Sequence, residues 1–304
     1  MKSDGVKIAH ASESAAGKRR ADQGFLSVKL RGWTTDFRKK FAPWIKLYKK
    51  INGFGYSVLR NPLVPANTSQ ILAWTLYLRA LSSYQAALLL AERGLDAECK
   101  TVLRSLAEAA FALGAIEKDQ RFAARLLKSN EYEELQWMKK WNEVNRGQDR
   151  ALQDKIAFLA ARVSKKHKLG VRQIADSAGM LNVYHVQYSR LCMFGHPTPH
   201  SLALRMRRDE QTQMIETNLH PTANQAHDNL RLGMMFQIFA IKSFFNICQF
   251  PNPKRLIDLH EQFSDLISTL PIFDLKTSAM LKQRGSLTIV KHGDVSRPRD
   301  EAVD

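Results

Sequence analysis

The feature that most constrains this chain is the spacing of its apolar residues, which recur three and four positions apart through most of the stretch from Trp33 to Leu270. That spacing lines one face of an α-helix. The two-residue alternation of a half-buried strand occurs only at Leu202, Leu204 and Met206, between Ala203, Arg205 and Arg207, which is too short to predict a sheet. The expected fold is all-α: a multi-helix bundle with a basic N-terminal helical arm and disordered tails. With 304 residues, 44% of them hydrophobic, the chain can build a core without staples.

Turn-forming residues divide the pattern. Residues 1–25 are polar and aperiodic and read as a disordered basic tail. Residues 26–66 form an arm and linker, in which Trp33, Phe37, Phe41, Trp44 and Tyr48 share one face of a helix over Trp33–Lys50, ended by Asn52-Gly53 and Gly55. The bundle is assigned to residues 67–281. It opens with a hairpin of two helices, the first capped by Asn67, Thr68 or Ser69 and ended by Gly94, the second starting near Asp96. A charged stretch over 119–166, broken at Arg146-Gly147, follows. Then come a short helix over Val171–Ser177, a segment Val183–Gly195 capped by Asn182, a proline-rich loop at His196–His200, and helices over Pro221–Cys248 and Pro253–Leu270. Residues 282–304 read as a polar tail.

The formal charge is +17, and the first fifty residues hold thirteen Lys and Arg against four Asp and Glu. That excess favours polyanionic partners, RNA among them. The three scattered cysteines, Cys99, Cys192 and Cys248, make no paired zinc-binding motif and read as thiols of a reducing, cytoplasmic compartment. No secretory signal and no membrane-inserting stretch is expected, since the apolar run Met234–Ile247 is interrupted by Gln237, Lys242 and Ser243. There is no GxxxxGK[ST] loop, GxGxxG turn, HExxH or GxSxG motif, and His196 and His200 are separated by prolines. No cofactor and no metal are expected.

Two constellations carry chemistry. Arg104 and Glu108 lie one helical turn apart at the edge of an apolar stripe beside Phe111, where a charge is partly desolvated. They form either one wall of a binding pocket or a salt bridge anchoring the next helix. The second is Tyr184-His185 followed by Tyr188, Arg190, Cys192 and His196-Pro197, with Tyr184, Tyr188, Leu191 and Gly195 on one stripe and His196 where the helix meets the loop. A histidine held there either titrates near neutrality as a functional group or caps the last carbonyls of its helix.

Together, Arg104-x-x-x-Glu108, Tyr188, Cys192 and His196-Pro197 over residues 70–250 resemble a bacterial family known as domain of unknown function family 5677. The chain departs from that pattern at Cys192, where the family has Ser. Arg190 and His196, separated by five residues, also resemble the Arg-to-His motif of HEPN ribonucleases, although Leu191 stands where those commonly carry a polar residue. That motif allows four to six residues between the two, so Arg162–His167 and Arg255–His260 match it as well, but only Arg190–His196 sits at a helix-to-loop junction flanked by tyrosines.

The second resemblance implies a metal-independent ribonuclease, a toxin or phage-defence effector working as a homodimer. His196 would move the proton of the ribose 2′-hydroxyl and Arg190 would stabilise charge on the phosphate. Two other classes compete with it: a non-catalytic helical module binding nucleic acid or a protein partner, and a pocket enzyme using Arg104, Glu108 and His196 on a small anionic substrate, with Tyr188 and Cys192 lining the pocket.

Overall fold

The computed structural model describes residues 24–27, 30–60, 64–195, 206–208, 215–217, 220–251 and 254–270. Apart from Gly24 and Phe25, the expected N-terminal tail lies outside the described residues, as does the whole C-terminal tail. Eleven α-helices are described, so the all-α bundle is the observed class. Ten of them are α1 (Leu30–Lys40), α2 (Ala42–Val58), α3 (Thr68–Glu92), α4 (Asp96–Lys118), α5 (Phe122–Val144), α6 (Arg150–Arg162), α7 (Val171–Ser177), α8 (Leu181–Val183), α9 (Ser189–Gly195) and α10 (Ala226–Cys248) in one unit. The eleventh, α11 (Lys254–Ser268), begins a second unit and carries Leu256, Leu259, Phe263 and Ile267 on one stripe. No helix among the described residues is long and apolar enough to cross a membrane.

The centre of the first unit is α10 packed against α3 and α4. Every residue of α10 from Asn229 to Ile238 is buried, so this helix has no solvent face and acts as the axis of the bundle. The hairpin of α3 and α4 forms as its turn residues predict. Asn67 accepts from the Gln70 amide at 3.0 Å to start α3. At the other end Gly94, with φ of 70°, lets the amides of Leu95 and Gly94 bond back to the carbonyls of Leu90 and Ala91.

Gly94 has a second duty. A Cβ there would lie 2.6 Å from Pro221 Cβ, and the Gly94 carbonyl accepts from the Thr222 amide at 3.2 Å. Pro221 is therefore tied to the hairpin turn and does not open α10, which begins five residues later at Ala226.

The arm departs from expectation in two ways. The single helix over Trp33–Lys50 is divided at Phe41, just before Pro43, and α2 continues through Gly53 and Gly55 to Val58. Those glycines do not stop the helix: a Cβ on Gly55 would sit 3.0 Å from the Tyr77 hydroxyl, so this glycine lets α2 lie close on α3. The aromatic stripe is core rather than a binding face. Phe37, Phe41, Trp44 and Tyr48 are buried while Lys46 and Lys49 stay exposed.

Tyr48 and Tyr84 form a reciprocal clasp. Each hydroxyl donates to the other's backbone carbonyl, at 2.7 and 2.9 Å, and the rings stack 3.8 Å apart. Burial pushes both phenols well up, so both remain donors.

Two further corrections concern the second half of the chain. Asn182 lies inside its helix, which starts at Leu181, and does not cap it. Met206–Arg208 and Ile215–Thr217 pair as a two-stranded antiparallel ribbon (β1, β2), with Met206 opposite Thr217. Of the alternation at Leu202–Met206, only Met206 lies among the described residues, at the start of β1.

The clasp requires Gly233, because a Cβ there would lie 2.7 Å from the Tyr48 hydroxyl and 2.9 Å from its ring. Gly233→Ala is expected to lower stability by about 1–3 kcal/mol through overpacking, measured by thermal or urea unfolding. Gly53→Ala, where a Cβ meets nothing, should lose none.

Candidate active site

Helix α4 carries a polar residue every fourth position along one winding edge: Asp96, Lys100, Arg104 and Glu108. The segment facing it, α8 to α9, contains a π-turn at Tyr184–Tyr188, closed by the Ser189 amide bonding to the Tyr184 carbonyl. The Ser189 hydroxyl donates to the same carbonyl at 3.2 Å. Such a turn fits about one extra residue into the helix and recurs at functional sites. Here it buries both Gln187 and Tyr188.

Arg104, Glu108 and Tyr188 meet at the lower half of this seam. Arg104 Nε lies 3.1 Å from Glu108 Oε1 and 3.1 Å from the Tyr188 oxygen, and Tyr188 donates to the same Glu108 oxygen at 2.6 Å. Burial and then the hydrogen bond to Glu108 push the Tyr188 phenol up, so it stays protonated at neutral pH. Phe111 meets its ring edge-on at 5.8 Å and Tyr184 stacks on it at 5.1 Å. The Arg104 and Glu108 side chains remain 31% and 33% exposed, so this patch is open to a ligand. A Cβ on Gly195 would sit 3.4 Å from Arg104 Nη1, which places the guanidinium against the residue that precedes His196 in sequence.

The upper half of the seam gathers around Asp228 of α10. Its Oδ2 is 3.1 Å from Lys100 Nζ and 3.4 Å from Arg190 Nη1, and its Oδ1 is 2.8 Å from Arg231 Nη2. Gln225 Oε1 accepts from Lys100 and from Arg190, each at 3.3 Å. Lys100 is fully buried and lies 4.5 Å over the Phe194 ring. The Nη2 of Arg231 also reaches Gln187 at 3.4 Å, while its Nη1 is buried without a partner. Asp96 closes the cluster, accepting from Thr222 Oγ1 at 2.7 Å and Asn229 Nδ2 at 3.0 Å.

The electrostatics follow the contacts. Burial raises the Asp228 carboxyl, but Lys100, Arg231 and Arg190 together outweigh it and hold the group below its ordinary value. Burial lowers the Lys100 ammonium against the pull of Asp228, and burial raises Asp96.

Of the pocket residues expected from sequence, Arg104, Glu108 and Tyr188 touch, and Cys192 lies half-buried on α9. Arg190 is engaged elsewhere, by Asp228 and Gln225. His196 lies outside the described residues. Lys100, Asp228 and Arg231 were not singled out from sequence. Two patterns pointed to them: the four-residue polar repeat of α4, and Asp228 and Arg231 one turn apart at the start of a long apolar helix. Among the described residues, no three His, Cys, Asp or Glu side chains are grouped as metal ligands would be.

A family model described as "Family of unknown function (DUF5677)" matches residues 70–213, from α3 through β1. The match includes Arg104, Glu108, Tyr188, Arg190, Cys192 and His196 but stops before α10, short of the residue 250 expected from sequence. No curated protein and no solved structure matches the chain.

Asp228→Asn should cost about 3–5 kcal/mol, because it leaves buried Lys100 and Arg231 uncompensated. The pH dependence has a definite sign. A carboxylate with a depressed folded pKa contributes fully above its unfolded value of about 3.9 and loses that contribution as pH falls through the folded one. The stability gap between wild type and Asp228→Asn is therefore expected to be flat across neutral pH and to narrow below about pH 4, read by urea unfolding at each pH.

Proposed function

We propose that the seam where α4 meets the π-turn is an active site for a phosphate-bearing substrate. Arg104 binds the anion, Glu108 and Tyr188 orient it and share a proton, and His196, next after Gly195 in sequence, is the group that moves a proton on the substrate. The observation that carries this reading is the hydrogen-bonded chain from Arg104 through Tyr188 to Glu108. A permanent cation, a phenol held protonated and a carboxylate share one part-exposed patch built from two separate elements.

Nothing in packing alone demands that combination. An i,i+4 pair this exposed is worth well under about 1 kcal/mol to stability. The net charge of +17 makes RNA the first substrate class to test. A second reading, metal-independent RNA cleavage by Arg190 and His196, is favoured by one observation: the Arg190 side chain is 46% exposed while its guanidinium stands beside buried Lys100 and Arg231 on Asp228.

The test is turnover of single-stranded RNA, single-stranded DNA and nucleoside phosphates by purified protein in a chelator. Arg104→Ala, Tyr188→Phe and Glu108→Gln are each expected to reduce turnover by at least about 100-fold, with melting temperatures near that of wild type. RNA products ending in a cyclic or 3′-phosphate, with DNA intact and Arg190→Ala inactive, would select the second reading. Binding without turnover of any phosphate-bearing probe would leave a non-catalytic binding module. Variants indistinguishable from wild type would overturn the site.

A further inference from the structure

We propose that the outer face of α5 is a docking surface for single-stranded nucleic acid, with bases stacking on Trp137 and Trp141. Helix α5 packs on the bundle through its first turns, where Phe122, Ala123 and Leu126 are buried. Beyond them it pairs with α6 as a hairpin whose small core is Leu135, Met138, Leu159 and Val163. Trp137 and Trp141 are not part of that core. They lie one turn apart beside it, 59% and 50% exposed, with rings nearly parallel at 13° and centroids 6.1 Å apart. Two large aromatic side chains held parallel in solvent offer flat faces to a partner, and base stacking on such faces tolerates any sequence.

The charges around them select the partner. Lower in the hairpin the cations are matched, Lys155 by Glu134 at 2.8 Å and Arg162 by Glu131 at 3.0 Å. Around the tryptophans and at the tip they are not: Lys139, Lys140, Arg146 and Arg150 are exposed and make no ion pair among the described residues. Three carboxylates lie in this neighbourhood: Glu133, exposed one turn before Trp137, Glu143, and Asp149, which is occupied in capping α6, accepting from the Leu152 amide at 3.0 Å. Lys140 lies one turn from Trp137 and Val144 on the tryptophan face. The tip is fixed by left-handed residues, Arg146 at φ 53° and Gly147 at φ 68°, which turn the chain back into α6 and hold both arginines at the end of the hairpin. Exposed aromatics flanked by unmatched cations fit a polyanion with accessible bases. A duplex, whose bases are already stacked, fits poorly.

This surface is independent of the reading given for Arg104, Tyr188 and Glu108, and the measurements keep the two apart. Fluorescently labelled U-rich RNA, the matching single-stranded DNA and a duplex of the same length are titrated with full-length protein, following anisotropy and tryptophan quenching across salt concentrations. Both single strands are expected to bind, the duplex about tenfold more weakly. Trp137→Ala and Trp141→Ala should each weaken single-strand binding by about tenfold, with Trp137→Tyr retaining most of it. Lys139→Gln with Lys140→Gln should weaken it and reduce its salt dependence.

Circular dichroism should show unchanged helix content in all of these variants, since none touches the hairpin core. Tryptophan variants with wild-type affinity overturn the proposal. So does a change confined to oligomeric state in sedimentation, which would assign the face to a protein contact. If nucleic acid binds through this face but no phosphate-bearing substrate is turned over, the active-site reading fails and this one stands.

Discussion

A single carboxylate, Asp228, decides how the middle of this protein is assembled. It lies on the helix that serves as the bundle's axis, and the cations around it come from different parts of the chain: Lys100 from α4, Arg190 from α9 and Arg231 from its own next turn. A buried ion cluster is a poor source of net stability, because desolvation offsets most of the attraction. What it supplies is direction. Apolar helices can slide and rotate against one another at little cost, but a lysine with no exposure must find its partner, and only one register of α4 on α10 provides it.

That register has consequences along α4. Lys100 and Arg104 are successive members of one polar edge, so fixing the first against Asp228 turns the second toward the segment that carries Tyr188. The contact of Gly94 with Pro221 works in the same direction, binding the α3–α4 turn to the residues that lead into α10 and bringing Thr222 to Asp96. The clasp of Tyr48 and Tyr84 belongs to a separate system that seats α2 on α3 and α10 through Gly233.

Much of the fold was legible because helices announce themselves by spacing and end at residues with specific backbone needs. Gly94 and Gly147 each end a helix or turn where the sequence suggested, both at positive φ. Errors arose where a residue's role was tertiary. Gly55 looked like a terminator and is a contact point, Pro221 looked like a helix start and is a wedge against Gly94, and the aromatic stripe of the arm gave no sign of whether it faced a partner or the bundle. Arg104 and Glu108 were readable as a pair from their four-residue spacing, and Tyr188 as a candidate from its neighbours. That they meet was not readable, because it depends on α4 packing against a segment some eighty residues away. The Asp228 cluster was hidden for the same reason: its members are ordinary charges until the helices are brought together.

The π-turn at Tyr184–Tyr188 gives this arrangement an unusual kind of encoding. Relative to an α-helix, a wide turn delays the phase of everything after it by about one residue. The face that α9 presents to α4 and α10 is therefore set by a count of residues as much as by their chemistry. A chain with the same side chains but one fewer residue between Leu181 and Ser189 would form an uninterrupted helix and still turn Arg190 the way it points here, because the wide turn is what absorbs the extra residue. If the extra residue were kept and the turn wound as ordinary α-helix, everything after it would rotate by about 100° and present a different face to α4.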